Sequence, residues 1–463
     1  MSTTYDLTTP AGRFRPAAPA PIDNPPGDIA MMLKGAKLNP LDTVPRSSFE
    51  EPYRRASFFG LTYHGVHDPE GIKHVFLDNA ANYTRPGIVR RMLSPSLGEG
   101  LFTAEGAAWR GQRRMMAPVF TPSSLEDFTP IFVRQAERAA DRWSQAGPGV
   151  MDMSAEATRT TFEIIDEALF SGQTGVTFEE SSAEIRAVLE ATTEIRLGLL
   201  FDIDWLDQSA VQRRGRAARE RLKARFAAFI AKRQIDPSPP HDFITRLLEA
   251  FSAEHSPQSA ASLTLDNAVT FFGAGHETTA AGLSWALYLL SQDQQAQDWA
   301  RTEAREALSA GDPKAILGEL PYLKMVWEET LRLYPPVYRI DREALGEDEI
   351  GGHRIRKGEQ ITVWPWTLHR HRKLWNEPDL FNPEHFDPEA KAKQHRFQYM
   401  PFGAGQRICI GMGFAQAEAL LILATWLARF RFRPVDGHVV EPWADVTLRP
   451  KGGLPLVVEL APD

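Results

Sequence analysis

Cys409 is the only cysteine in the 463-residue sequence, and it stands in the run Phe402-Gly-Ala-Gly405-Gln-Arg407-Ile-Cys409-Ile-Gly411, just ahead of an apolar stretch. One thiol forms no internal disulfide, and it is too few soft ligands for a zinc tetrad or an iron–sulfur cluster. Taken alone, such a residue is either a small buried hydrophobe or a ligand to a metal cofactor. Its neighbours favour the second role. Gly405 permits a turn or a close backbone approach, Gly411 exposes backbone amides near the sulfur, and the segment from Phe414 to Trp426 reads as a helix. A sulfur near a helix N-terminus, with Arg407 two residues away, is biased toward thiolate. Haem iron is the metal that fits one thiolate.

Three further groupings can do chemistry. In Ala274-Gly275-His276-Glu277-Thr278-Thr279, Ala274 and Thr278 lie one helical turn apart. Glycine weakens a helix by about 1 kcal/mol relative to alanine, and a threonine hydroxyl can take the carbonyl four residues back. That helix is expected to kink and admit water or a ligand, the alternative being a helix–helix contact through small residues. Glu329 and Arg332 are within pairing distance on a helix, which by itself describes an ordinary surface pair. Trp109 and Arg113 are also one turn apart and, with Arg110 and Arg114, form a basic patch that alone reads as a solvated face.

The Cys409 run resembles the cysteine-loop signature of cytochromes P450, Phe-x-x-Gly-x-Arg-x-Cys-x-Gly, with every fixed position filled. Ala274 to Thr279 is similar to that family's oxygen-binding helix motif. Glu329-Thr-Leu-Arg332 with Pro383-Glu384-His385-Phe386 is similar to its Glu-x-x-Arg and Pro-Glu-Arg-Phe elements. The resemblance runs in order from Trp109 to Gly411. It implies a mainly α fold with a small β region, a triangular helical prism with haem b between the long helix and the cysteine loop. By the same resemblance Cys409 is the axial ligand, Thr278 hydrogen-bonds dioxygen, and Glu277 helps relay protons. Trp109, Arg113, Arg342 and Arg407 are implied propionate contacts, and Phe402, Gly411 and Ala274 implied neighbours of the haem. Phe271, Phe272, Gly273, Ala274 and Val337 are the implied substrate wall, with the loop from Tyr83 to Leu101 and the Leu199 to Trp205 segment above it. Glu329, Arg332 and His385 correspond to a buried structural network. There His385 stands in place of an arginine, a departure that is expected to weaken the network or make it sensitive to pH.

The elements that must position these residues are legible in outline. Helical spacing covers Asp68 to Asn79, Phe102 to Pro118, Leu125 to Gln145, Phe178 to Leu197, Val211 to Gln234, Phe243 to Phe251 and Leu265 to Leu290. Glycine turns among alternating apolar residues from Glu349 to Trp364 suggest a hairpin. Residues 1–28, rich in proline, read as a flexible arm, and residues 29–463 as a single domain. No run is apolar enough for a signal sequence or a membrane anchor, and one cysteine suits the cytoplasm. A net charge of −8 excludes the basic excess of a nucleic-acid binder.

The implied reaction is monooxygenation of an apolar small molecule, such as a fatty acid, terpenoid or steroid-like compound, by O2. The chain ends soon after the helix that follows Cys409, so electrons are expected from a separate ferredoxin, or a flavodoxin, with its reductase. A peroxide-driven haem peroxygenase would not need the Glu277–Thr278 pair, and a haem-thiolate sensor would usually carry an output domain. His369-Arg-His371 reads as solvated histidines rather than a metal pair. The basic stretch Arg213 to Arg233 reads as an amphipathic helix, and Arg85, Arg90 and Arg91 as solvated loop arginines.

Overall fold

The computed structural model describes residues 14–24, 39–58, 60–193, 209–309 and 311–462. The chain divides into two compact units. One comprises Met1–Pro86, Phe132–Ala157 and Thr278–Asp463, and the other Gly87–Ile131 and Thr158–Glu277. The long helix Pro257–Gln292 contributes its first part to the second unit and its remainder to the first. None of the described helices is long and apolar enough to cross a membrane.

The first unit carries the sheets. A five-stranded sheet has the order Tyr53–Phe58, Leu61–Val66, Gln360–Val363, Ile340–Ala344, Tyr83–Thr84. Leu61–Val66 and Gln360–Val363 pair in parallel, and the other neighbours are antiparallel. The predicted hairpin is present over Asp348–Ile350 and His353–Ile355, whereas Gln360–Val363 leaves it to join the larger sheet. All four residues of that strand are buried, as expected for a strand covered on both faces. Val66, Ile72, Phe76, Ile361, Val363, Phe397 and Met400 form one apolar cluster beneath this sheet. A second core gathers around the helix Met412–Arg429, where Trp426 meets Trp143 at a ring separation of 4.8 Å.

Part of the proline-rich arm is hydrogen-bonded to the rest of the first unit. Phe381 N donates to the Phe14 carbonyl, Ala17 N to the Tyr288 hydroxyl, and the Tyr334 hydroxyl to the Ala17 carbonyl. A segment without its own ladder leaves backbone groups to satisfy, and here two buried tyrosines satisfy them. Phe14 and Ala17 of the arm are thereby hydrogen-bonded to the first unit.

The second unit is helical, with Gly106–Met116, Phe178–Thr193, Ala210–Ile235 and Phe243–Glu254 close to the predicted spans. Its core is aromatic: Phe272 meets Phe162 at 5.0 Å, Phe226 at 5.1 Å and Phe170 at 5.9 Å, all edge-on. The segment expected as a loop from Tyr83 to Leu101 contains a helix, Gly87–Leu97, because its apolar residues at helical spacing outweigh the proline at 95.

Candidate active site

The cysteine loop is held mainly by backbone contacts. Cys409 N donates to the Phe402 carbonyl at 2.9 Å, Ile408 N to the Gly405 carbonyl at 3.2 Å, and Gly403 N to the Met400 carbonyl at 3.0 Å. Gly405 has φ +64°, and a Cβ there would stand 1.7 Å from the Phe76 carbonyl oxygen. Only glycine can occupy that point, which is the close approach expected from the sequence. The helix Met412–Arg429 follows at once, with Gly411 as its N-cap, so Cys409 sits at the positive end of a helix dipole.

The Cys409 side chain is exposed rather than packed, which removes the buried-hydrophobe reading. An exposed cysteine on a loop set by Gly405, before a helix N-terminus, fits a haem iron that takes a single thiolate. Arg342 adds a cation to this surround: its guanidinium lies 4.7 Å over the ring of Phe76, the residue whose carbonyl closes on Gly405. Arg407 occupies the short turn Gly405–Arg407 within the loop itself.

His369 was expected to be solvated and is instead fully buried, as is His371. Its Nε2 accepts a 2.9 Å hydrogen bond from Met400 N, which pins the chain two residues before Phe402. That bond assigns the ring proton to Nδ1. Burial, with the Arg332 and Arg370 charges adding, pushes His369 down to about 3, so it stays a neutral acceptor. Among the described residues no cluster of three ligands accompanies it, and it serves structure rather than a metal. Sequence alone did not signal this role, because the partner is a backbone amide 31 residues away.

The Glu329–Arg332 pair is not a surface pair. Both side chains are fully buried on Pro321–Leu333, with Arg332 Nε 2.6 Å and Nη2 2.7 Å from the carboxylate. Arg332 also donates to the carbonyls of His369, Pro378 and Leu380, and its guanidinium lies 5.2 Å over Trp375. Glu329 accepts from Asn382 N at 2.8 Å and from His385 Nδ1 at 3.2 Å. Burial pushes the Glu329 carboxyl up, but the Arg332 charge and hydrogen bonds, followed by His385, outweigh it and hold it below the usual carboxylate range.

The long helix runs unbroken through Ala274–Thr279. Within the second unit, Gly275 has a steric purpose: a Cβ there would stand 2.6 Å from Ile165 Cδ1. Thr161 Oγ1 donates to the His276 carbonyl at 2.9 Å, and His276 Nδ1 lies 2.6 Å from the Phe272 carbonyl, one turn back. Phe272 is buried in the aromatic core and is removed from the candidate substrate wall, because it shares the inward face with His276. Phe271, Ala274 and Thr278 follow one another along a different face, with Gly273 and Glu277 beside them, and Ala274 is exposed. Trp109 is buried and Arg113 lies 5.9 Å over its ring, so this pair is built into the unit rather than freely solvated.

In the first unit, the helix that follows Cys409 brings Glu418, fully buried, beside Thr279. Burial pushes its carboxyl well above the usual range, opposed only by the Thr279 hydroxyl. Val337, the remaining candidate wall residue, is 40% exposed. The Leu199 to Trp205 segment lies outside the described residues.

Comparison with known proteins agrees with this geometry. The family model described as "Cytochrome P450" matches residues 52–456. Cyclooctatin synthase of Streptomyces melanosporofaciens is 30% identical over 395 residues, covering 82% of this chain and 83% of that protein. Cytochrome P450 4F2 of Homo sapiens is 31% identical, covering 84% and 80% respectively. Among solved structures, the cytochrome P450DA heme domain superposes with a TM-score of 0.79 at 22% identity, over 89% of this chain and 90% of that one.

Proposed function

The chain belongs to the cytochrome P450 family and is a haem-thiolate monooxygenase, and we propose that Cys409 supplies the axial sulfur and that the substrate is an apolar small molecule. The observation that carries the assignment of Cys409 is its exposed sulfur on a loop fixed by Gly405 against Phe76. Haem b, when bound, supplies the one-electron and O2 chemistry that a thiolate biases toward O–O cleavage.

The chain's own residues do the rest. Thr278 offers a hydroxyl and Glu277 a carboxyl that hold and pass protons, an arrangement that a peroxide-driven enzyme would not need. Arg342 and Arg407, with Trp109 and Arg113, offer planar forks and an indole N–H suited to the propionate carboxylates. Gly273, Ala274 and Val337, with Phe271 backed by Phe120 and Phe243, are apolar, which favours a fatty-acid, terpenoid or steroid-like substrate. Electrons from a separate ferredoxin or flavodoxin with its reductase, and a cytoplasmic location consistent with one cysteine, belong to the same reading.

The test is the carbon monoxide difference spectrum of the reduced protein. A Soret band red-shifted as thiolate ligation requires, and its loss in Cys409→Ala, is the expected result; a band unchanged in the variant sinks the assignment. Spin-state shifts across a panel of lipophilic compounds then identify the substrate class.

A further inference from the structure

A cleft in the first unit holds a buried cation that has no carboxylate in direct contact among the described residues. It is lined by Arg15, Phe49, Trp366, Arg370, Arg372 and Asp379, and is a small cleft of about 30 Å³ that opens to solvent. Arg370 is only 3% exposed. Its guanidinium lies 3.6 Å from the Trp366 ring centroid and 5.6 Å from that of Tyr334. Among the described residues its hydrogen bond is one long contact, Nη1 to the Trp366 carbonyl at 3.5 Å, and no carboxylate lies within ion-pair distance of it.

The one acid in the lining is already engaged. Asp379 Oδ2 accepts from Arg15 at 3.2 Å and stands 2.9 Å from Arg372. Asp379 thus contacts Arg15 and Arg372 directly, and Arg370, the most buried of the three guanidiniums, lies beyond ion-pair distance of it. A buried guanidinium whose donors lack an anion is costly, and stacking on an aromatic face recovers only part of that cost. Burial, with the Arg332 and Arg372 charges adding to it and Tyr334 and Asp379 opposing it, pushes Arg370 down to about 9. The planar fork of arginine is matched to oxyanions, and the proline-rich segment from Pro16 to Pro21 supplies a low-entropy wall on one side.

We propose that this cleft is a binding site for a small oxyanion, a phosphate or a free carboxylate, seated on Arg370 with Arg15 and Arg372 beside it. The anion would tie the N-terminal segment to the turn that carries Trp366 and His369. It touches none of the residues assigned to catalysis, so the site acts on the integrity of this unit rather than on the chemistry.

The test is thermal unfolding of the haem-loaded protein in sodium phosphate, and separately in sodium succinate, at ionic strength held constant with potassium chloride. The expected result is a saturable rise in unfolding temperature with one of the two, which identifies the oxyanion. Arg370→Met should weaken the apparent affinity about tenfold or more, while Asp379→Asn, which removes the competing carboxylate, should tighten it. If Arg370→Met does not fold, Arg372→Gln decides in its place: its side chain is 36% exposed, and weakening is again expected. Equal responses in the wild type and all variants would reveal general salt effects and overturn the proposal, as would no response to either oxyanion.

Discussion

His385 Nδ1 lies 3.2 Å from both carboxylate oxygens of Glu329, while its Nε2 lies 2.7 Å from the Asn376 carbonyl oxygen. Both ring nitrogens therefore face acceptors. His385 thus bridges Glu329 and the Asn376 carbonyl at the place where the resemblance has an arginine, with a shorter side chain and fewer donors.

Removing the carboxylate tests how much the network supports. Glu329→Gln leaves Arg332, fully buried, without its counter-charge. The expected loss is about 3–5 kcal/mol, read as a fall in chemical-denaturation midpoint together with a lower ratio of bound haem to protein. His385→Ala, which removes the contacts to Glu329 and to the Asn376 carbonyl, should lower both by a smaller amount. An unchanged midpoint and haem content in that variant would argue against a supporting role for His385.

Stability should fall on acidification from two sources with different windows. Burial, then the His371 and Arg54 charges, pushes His67 down to about 3, and His369 lies at about the same value, both from 6.5. The unfolded chain takes up these two protons first, so their contribution is complete above pH 6.5 and is lost as pH falls toward 3, at about 1.4 kcal/mol per pH unit for each residue. Glu329, held below 4.5, contributes above that value and is lost only as pH falls through its lower folded one. Denaturation at pH 7.5, 6 and 5 should show the first slope, and His369→Gln, which keeps an acceptor for Met400 N, should reduce it. A flat profile over that range would contradict the buried, neutral assignment.

Two glycines of the cysteine loop should behave differently. Gly405→Ala forces a Cβ to 1.7 Å from the Phe76 carbonyl and should abolish haem incorporation. Gly403, at φ +73° with its nearest neighbour Ile340 Cδ1 at 3.9 Å, faces only a conformational penalty of about 1–2 kcal/mol. Its alanine variant should bind haem and unfold at a lower temperature. Similar haem content in both variants would mean that the contact with Phe76 does not shape the loop.

Glu418 gives a prediction of opposite sign to the histidines. Its folded value lies above 4.5, so its stabilising share is complete below that value and is lost as pH rises through the folded one. Glu418→Gln keeps the shape of the neutral acid and removes the titration. The variant should equal or exceed the wild type in stability at pH 8, by chemical denaturation, and lose its advantage near pH 4.

Thr278→Ala should leave the carbon monoxide spectrum intact while product formation falls on the order of 10²-fold, the usual worth of a positioned proton-transfer group. Product yield per electron consumed is the measurement, and an undiminished yield would remove Thr278 from the proton path.

The local features were legible before folding because they are written in short stretches of chain. The Cys409 run, the small-residue turn before Thr278, the spans Gly106–Met116 and Phe243–Glu254, and the need for glycine at 405 all follow from spacing and from residue type. Tertiary structure decided which polar groups found partners, and those partners lie far away in sequence. Met400 N selects His369 from 31 residues off, Glu329 selects His385 from 56, and Tyr334 takes the Ala17 carbonyl across 317. Periodicity records which side of an element is apolar, and it carries no label for what that side meets. The family resemblance likewise transfers a position and not a side chain's surroundings: it implies Phe272 in a substrate wall, and the fold packs that ring among Phe162, Phe170 and Phe226. His369 and His371 were read as solvated, when burial keeps the first of them neutral and makes it the acceptor that holds the chain leading to Cys409.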